Sequence, residues 1–239
     1  MAARFSESWF HAPDLRAPGD VSPLPDDEAH HLRKVLRLAP GDEVIASDGR
    51  GSVFACAVRE AGRGLALDAM ERLSGPSAPP RLNLVLALLK GRDLEEPIEG
   101  LSQLEIHRIF LVTSDHTQEF RGQDHARLLE RLRAKSLVGL KQAKKPWLTE
   151  IAAPVPLRDW RKAHPDLALV LTAPGADSGL PAPGTAYAVA VGPDGGFSSA
   201  EAGWFRDQGA GVLTLGPTRI RGTHAPLLAA GKLMGLGLL

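Results

Sequence analysis

Two glycine-rich segments in the last third of the chain have the residue types and spacing to hold a ligand. The first, Gly192-Pro193-Asp194-Gly195-Gly196-Phe197, passes directly into Ser198-Ser199-Ala200-Glu201. Ser198 and Glu201 form a capping box, so a helix begins there. The apolar run Ala186 to Val191 before the glycines reads as a strand. Strand, glycine turn and helix start together offer free N–H groups and a backbone open to close approach by a polar ligand. A tight turn that uses glycine only for positive φ is the competing reading of one such loop. The second segment, Gly216-Pro217-Thr218-Arg219-Ile220-Arg221-Gly222-Thr223-His224, follows the apolar run Val212 to Leu215. It leads into an apolar helix from about Ala225, with Pro226 in the first turn. A third loop, Thr172-Ala173-Pro174-Gly175, follows the run Leu167 to Thr172 and can close the same crevice. In open α/β sheets ligands collect outside the carboxyl ends of the strands, which is where all three loops fall.

Other common site signatures are missing. The chain has no G-x-x-x-x-G-K-S/T, no G-x-G-x-x-G after a strand, no H-E-x-x-H and no G-x-S-x-G, which argues against P-loop, dinucleotide-binding, zincin and serine-hydrolase chemistry. The single cysteine, Cys56, allows no internal disulfide and no thiolate-rich zinc site, so no metal is expected and a reducing compartment fits. The N-terminus, MAARFSESWFHAPD, lacks an apolar signal core, and no apolar stretch reaches the roughly 20 residues of a membrane span. A soluble, cytoplasmic protein without a membrane partner is expected.

The elements that must carry these loops divide into two groups. Leu73 to Pro80 (LSGPSAPP) has no periodic pattern and reads as a linker, giving an N-terminal domain of residues 1–72 and a C-terminal domain of residues 81–239. Before the linker, short runs at Glu43 to Ser47, Val53 to Arg59 and Leu65 to Met70 are punctuated by Asp48-Gly49 and Gly62-Arg63-Gly64. This is hairpin spacing and predicts a small β-barrel, with one helix near Ala29 to Leu38. After the linker, apolar runs at Leu82 to Leu89, Ile109 to Thr113, Leu167 to Thr172, Ala186 to Val191 and Val212 to Leu215 alternate with helix-length stretches. That pattern predicts an α/β domain with a mostly parallel sheet. The last helix, Pro226 to Leu239 with Gly231, Gly235 and Gly237, suits close packing, either in the core or between subunits.

Formal charge balances, with 28 Lys plus Arg against 28 Asp plus Glu, so any nucleic-acid contact must come from local clustering. One cluster is His30-His31-Leu32-Arg33-Lys34-Val35-Leu36-Arg37-Leu38. At helical spacing, Leu32, Val35 and Leu36 take one side and His30, Arg33, Lys34 and Arg37 the other. The second spans Arg127 to Lys145, where Arg127, Arg131, Arg133, Lys135, Lys141, Lys144 and Lys145 are opposed in sequence only by Glu130. Either is a solvated face or a phosphate-binding surface. With aromatics at 5% of the chain, backbone and shape recognition of folded RNA fits better than base stacking.

Taken in order, four segments carry a resemblance over essentially the whole chain. They are His30 to Val44 (HHLRKVLRLAPGDEV), Leu86 to Glu96 (LALLKGRDLEE), Val191 to Glu201 (VGPDGGFSSAE) and Leu215 to Arg221 (LGPTRIR). Together they resemble the 16S ribosomal RNA uridine-N3 methyltransferases of the SPOUT superfamily. The resemblance implies a PUA-like N-terminal barrel and a C-terminal α/β domain with a deep trefoil knot, an exception to the rule against threaded chains. It implies S-adenosylmethionine as cofactor, 16S rRNA or the assembled small ribosomal subunit as partner, and a homodimer. Carried over residue by residue, the cofactor loops are Gly192, Pro193, Gly195 and Gly196, then Leu215, Gly216, Ile220 and Arg221, with Thr172 on the third loop. Basic residues that would face RNA are His30, Arg33, Lys34, Arg37, Lys141, Lys144 and Lys145. The chain also departs from the family pattern. Thr223 stands where the family reads R-I-L-R-T-E-T-A with an acidic residue, and Gly100 and Gln103 replace the lysine and glutamate of Q-K-A-T-E-L-G.

The implied chemistry assigns roles. Methyl transfer from a sulfonium needs an in-line nucleophile, so positioning supplies much of the rate. Uracil N3 must lose a proton, and a nearby cation stabilises the anion that develops, the role expected of Arg221. Asp194 and His224 are the candidates for accepting the proton. The alternatives are a catalytically degenerate RNA-binding or ribosome-associated relative, and a same-fold methyltransferase with another RNA target.

Overall fold

The computed structural model describes residues 8–89, 93–117 and 125–238, so Lys90, Gly91 and Arg92 of the second resembling segment lie outside the described residues. The chain divides into two compact units, Met1–Pro79 with Leu140–Leu148, and Pro80–Gly139 with Thr149–Leu239.

The first unit contains β1 (Trp9–His11), β2 (Val21–Pro23), α1 (Asp26–Lys34), β3 (Glu43–Ser47), β4 (Val53–Ala61) and β5 (Gly64–Ser74). They form one five-stranded sheet in the order β1-β3-β4-β5-β2. β1 runs parallel to β3, and the other pairs are antiparallel. Among the described residues β1 and β2 remain as edges, so the ladder is a half-barrel. The β3–β4 turn is set by Asp48, whose Oδ1 accepts the N–H groups of Arg50 (2.7 Å) and Ser52 (3.0 Å). Gly49 and Gly51 there take φ of 72° and 100°, a region other residues rarely adopt. Inward residues Val44, Ala46, Phe54, Cys56, Val58, Leu65 and Leu67 pack with Ala29 and Leu32 of α1.

α1 differs from the expected Ala29 to Leu38. It starts after Pro25, with Asp26, Asp27 and Glu28 complementing the dipole of its first turn, and Arg37 at φ 56° stands beyond its end. Because the helix ends at Lys34, Val35 leaves the apolar side and is 63% exposed, whereas Leu32 is fully buried.

The second unit contains β6 (Leu82–Ala87), α2 (Glu95–Leu101), β7 (Ile106–Thr113), α3 (His125–Ala143), β8 (Glu150–Pro156), α4 (Leu157–Ala163), β9 (Ala168–Thr172), β10 (Tyr187–Val191), α5 (Ser199–Asp207), β11 (Gly211–Leu213) and α6 (Ala225–Gly235). The last turn of α3 is counted with the first unit. Six strands form a parallel sheet in the order β11-β9-β10-β6-β7-β8. β6 and β10 are buried along their whole length, as expected of strands covered on both faces. Leu84 and Leu86 point to the side of α2, α3 and α6, where Ile98, Leu132, Ala229 and Leu233 close the core. Val85 and Ala87 point to the side of α4 and α5, where Trp160 and Phe205 do so.

β8 was not expected from the sequence, because EIAAPVP carries Pro154 and Pro156. It is an edge strand, where a missing N–H costs no ladder bond, and its pairing with β7 breaks register between Ala152 and Val155, around Pro154. Among the described residues no helix is long and apolar enough to cross a membrane.

Candidate active site

A cavity of about 530 Å³ opens at the carboxyl ends of β9, β10 and β11 in the second unit. Three loops line it: Thr172 to Pro174, Gly192 to Phe197 and Thr214 to Ile220, with Gly222 and Ala225 beyond them. The first glycine loop is shaped by its own backbone. The Gly196 N–H donates to the Pro193 carbonyl (2.7 Å), and Gly196 takes φ 73°. A Cβ on Gly192 would sit 2.9 Å from the Phe197 nitrogen, so this position admits only glycine without movement of the loop.

The capping box foreseen at Ser198 is present and does more than start α5. Ser198 Oγ accepts the Glu201 N–H (3.1 Å), and Glu201 Oε2 accepts the Ser198 N–H (2.9 Å). The other oxygen of buried Glu201 accepts the Asp115 N–H (2.9 Å), while Ser198 Oγ donates to Asp115 Oδ2. His116 Nδ1 lies 2.9 Å from the Gly196 carbonyl. The loop after β7 therefore braces the glycine loop from behind.

Asp194 joins the two glycine loops. Its Oδ1 accepts the Gly222 N–H (3.0 Å), and its carbonyl accepts from Arg219 Nη2 (2.9 Å). A second tie runs through Asp177, in the loop after β9. Asp177 Oδ1 accepts the Thr214 N–H and the Lys232 ammonium, each at 2.8 Å, and Lys232 also donates to the Thr214 carbonyl. The Lys232 hydrogen bond, followed by that from Thr214, holds the Asp177 carboxyl below its ordinary pKa. Thr172 Oγ1 donates to the Ala190 carbonyl (3.0 Å), fixing the third loop to β10. All three loops are thus held by their own hydrogen bonds.

Of the residues expected at the cofactor site, Thr172, Gly192, Pro193, Gly195, Gly196, Leu215, Gly216 and Ile220 line the cavity, as does Asp194. Arg221 and His224 are exposed and are not among the lining residues. Arg221 lies between two residues that are. His224 occupies the N-cap position of α6 without a side-chain capping bond. Arg219 lines the wall instead. Sequence reasoning passed over it because Arg221 held the position matching the family motif, and nothing in the spacing says which arginine turns inward. Asp177 and Lys232 were also missed, since 55 residues separate them.

The basic segments fare differently. His30, Arg33, Lys34 and Arg37 are exposed, with the Arg33 guanidinium 3.4 Å from the Gly64 carbonyl. Three cations of the run through α3 are neutralised. Arg131 pairs with Glu95 (2.9 Å), Lys135 with Glu99 (2.7 Å) and Lys141 with Glu28. The Glu99 carboxylate raises the pKa of Lys135. Lys145, expected on a phosphate-facing surface, is only 4% exposed, which removes it from that role. Lys144 remains exposed. Among the described residues no group of three or more His, Cys, Asp or Glu is placed to hold a metal.

Known proteins share this architecture. The RNA methyltransferase domain model matches residues 76–234, and the RNA methyltransferase PUA domain model matches residues 24–67. The ribosomal RNA small subunit methyltransferase E of Mycobacterium bovis is 28% identical over 236 residues, covering 93% of this chain and 89% of that protein. Its counterpart in Synechocystis is 29% identical over 222 residues, covering 87% and 71%. Among solved structures, ribosomal RNA small subunit methyltransferase E from Neisseria gonorrhoeae, bound to S-adenosyl methionine, superposes with a TM-score of 0.84 at 20% identity, covering 96% of this chain and 97% of that one. It shares the fold. With one model spanning well over half of the sequence and a PUA model before it, the chain belongs to the RNA methyltransferase family.

Proposed function

We propose that the cavity binds S-adenosylmethionine and that the chain methylates N3 of a uridine in the 16S RNA of the small ribosomal subunit. The observation that carries this reading is a cavity of about 530 Å³ built from three strand-end loops and tied across by Asp194. Its volume lies in the range of small-ligand pockets, a few hundred to about 1,000 Å³. Val191, Leu215 and Ile220 give it apolar wall for a purine. The Gly192 to Gly196 backbone and Thr172 give polar groups for an amino-acid end. The names of the Mycobacterium and Synechocystis relatives support the ribosomal substrate, and the ligand of the Neisseria protein supports the cofactor.

When bound, S-adenosylmethionine supplies an electrophilic methyl group on a sulfonium. The remaining tasks fall to residues of the chain. The glycine loops position the ligand, and the ties through Asp194 and Asp177 keep that position fixed before RNA arrives. Arg221, exposed between lining residues, faces an incoming uracil and stabilises the anion left when N3 loses its proton. Asp194 and His224 are the groups offered for that proton. Asp194 already spends one carboxylate oxygen on the Gly222 N–H, which leaves its other oxygen for the task.

RNA contacts are assigned to His30, Arg33, Lys34 and Arg37 at the end of α1, and to Lys144. The chain would act as a homodimer. On α6, Leu228 and Met234 are 47% and 43% exposed, and a Cβ on Gly231 or Gly235 would meet nothing within 4 Å. That is an apolar face open to close approach. The trefoil knot, the division at residues 73–80 and a cytoplasmic setting belong to the same proposal.

Calorimetric titration with S-adenosylhomocysteine tests the pocket. Wild-type protein should bind one equivalent per chain. Gly216→Val places a β-branched residue at φ 118° in the cavity wall and should weaken binding at least tenfold. A wild-type protein that binds none overturns the proposal.

A further inference from the structure

A second concavity, of about 350 Å³, lies between α4 and the end of α5 and is lined by Arg158, Arg161, Lys162, Pro165, Trp204 and Gln208. Arg158, Arg161 and Lys162 sit at i, i+3 and i+4, so one face of α4 delivers three cations to one hollow. Trp204 and Gln208, four residues apart, deliver an aromatic wall and an amide from the other side.

Two of these cations, Arg158 and Arg161, are held differently from those of α3. There Arg131, Lys135 and Lys141 each meet a glutamate. Here Arg161 is pinned entirely by neutral groups: the carbonyls of His164 (3.1 Å) and Leu167 (2.9 Å) and the Gln208 amide oxygen (3.4 Å). These bonds use its Nε and Nη1 and leave Nη2 unspent. Arg158 has its guanidinium carbon 5.8 Å from the Trp204 ring centroid. Lys162 meets Asp159 at 2.9 Å, but the two side chains are 78% and 59% exposed, and such a pair is readily exchanged for another anion. α4 sets Arg158, Arg161 and Lys162 against the single carboxylate of Asp159, so the hollow presents a net positive face to an anion.

We propose that this hollow docks one nucleotide of single-stranded RNA, with its phosphate on Arg161 and Lys162 and its base on the Trp204–Arg158 pair. Bases stack on both aromatic rings and guanidinium planes. Scarcity of aromatic residues in the chain argues against a general stacking surface, and this is a single local one. The site lies along α5 from the cofactor loop, about 14 Å for nine residues at about 1.5 Å each. It would hold a strand whose neighbouring part enters the active site. The inference rests on RNA being the substrate.

The test is fluorescence anisotropy of a labelled 12-nucleotide single-stranded RNA with full-length protein, between 50 and 200 mM KCl. The Arg158→Ala/Lys162→Ala double variant changes exposed side chains and should bind at least fivefold more weakly at 100 mM. Its salt slope should be lower by about 0.7 for each phosphate that no longer meets a cation. Trp204→Leu should weaken binding by a similar factor with the slope unchanged. Unchanged affinity and slope in the double variant overturn the proposal, as does uridine monophosphate binding as tightly as the 12-mer. Titration of the same variants with S-adenosylhomocysteine separates the two proposals. Normal cofactor binding with unaltered RNA binding sinks the docking site alone, whereas absence of cofactor binding in wild type sinks the methyltransferase pocket.

Discussion

Asp194 is in contact with both glycine loops, accepting Gly222 N–H on its carboxylate and Arg219 on its carbonyl. Asparagine keeps a side-chain acceptor at that place and alanine does not. Asp194→Asn should therefore hold S-adenosylhomocysteine within about threefold of wild type. Asp194→Ala should lose about 1 kcal/mol, the net worth of one hydrogen bond, or roughly fivefold in affinity. Alanine binding as tightly as wild type would remove the tie. If the asparagine variant binds normally but turns over at least a hundredfold more slowly, the carboxylate is the proton acceptor. Arg221→Ala should leave cofactor affinity unchanged and lower turnover by about 10²-fold or more, typical of losing one charge-stabilising donor. Wild-type turnover in that variant would exclude the role. The glycines of this site were legible in the sequence, because a strand, a turn and a capping box occur in immediate succession. Arg219 was not, since two arginines two residues apart in an irregular loop carry no periodicity that says which one faces inward.

The elements divide the same way. Buried runs such as Leu82 to Ala87 and Tyr187 to Val191 announce central parallel strands, and both were legible to within two residues at their ends. β1 and β2, three residues each, are too short for a pattern, and β8 is disguised by prolines that an edge position tolerates. α1 shows the limit of periodicity: the apolar spacing continues to Leu38, but the chain leaves the helix after Lys34. The loop after β9 is pinned to Thr214, just past β11, and to Lys232 of α6 by Asp177, whose pKa lies below its ordinary value of 3.8 because of Lys232 and the Thr214 N–H. A carboxyl with a depressed folded pKa stabilises the fold fully above its unfolded value, and the contribution fades as pH falls through the folded one. The contribution should therefore be intact from pH 7 down to about 5 and fall away below about pH 4. Urea unfolding between pH 3 and 6 checks this: wild type should lose stability more steeply with acid than Asp177→Asn, and identical slopes would contradict the tie.

For the molecule as a whole, equal numbers of acidic and basic residues concealed how charge is placed. In the run that looked most basic, through α3, Arg131, Lys135 and Lys141 are matched by Glu95, Glu99 and Glu28, carboxylates that lie 36 residues or more away in sequence. Such pairing is set by tertiary structure and leaves no local mark. The α1 terminus and, on α4, Arg158 and Lys162 keep their charge exposed. The apolar outer face of α6 predicts a dimer in sedimentation equilibrium, and a charge there should break it. Leu228→Glu should be monomeric, whereas an unshifted mass would place the subunit contact elsewhere. The most direct test of the proposed activity is transfer of labelled methyl from S-adenosylmethionine to 16S rRNA in the small ribosomal subunit, followed by mass mapping of the product. The expected result is one methyl group on N3 of a single uridine. Cofactor binding without transfer to any RNA would contradict it and leave a non-catalytic RNA-binding member of the family.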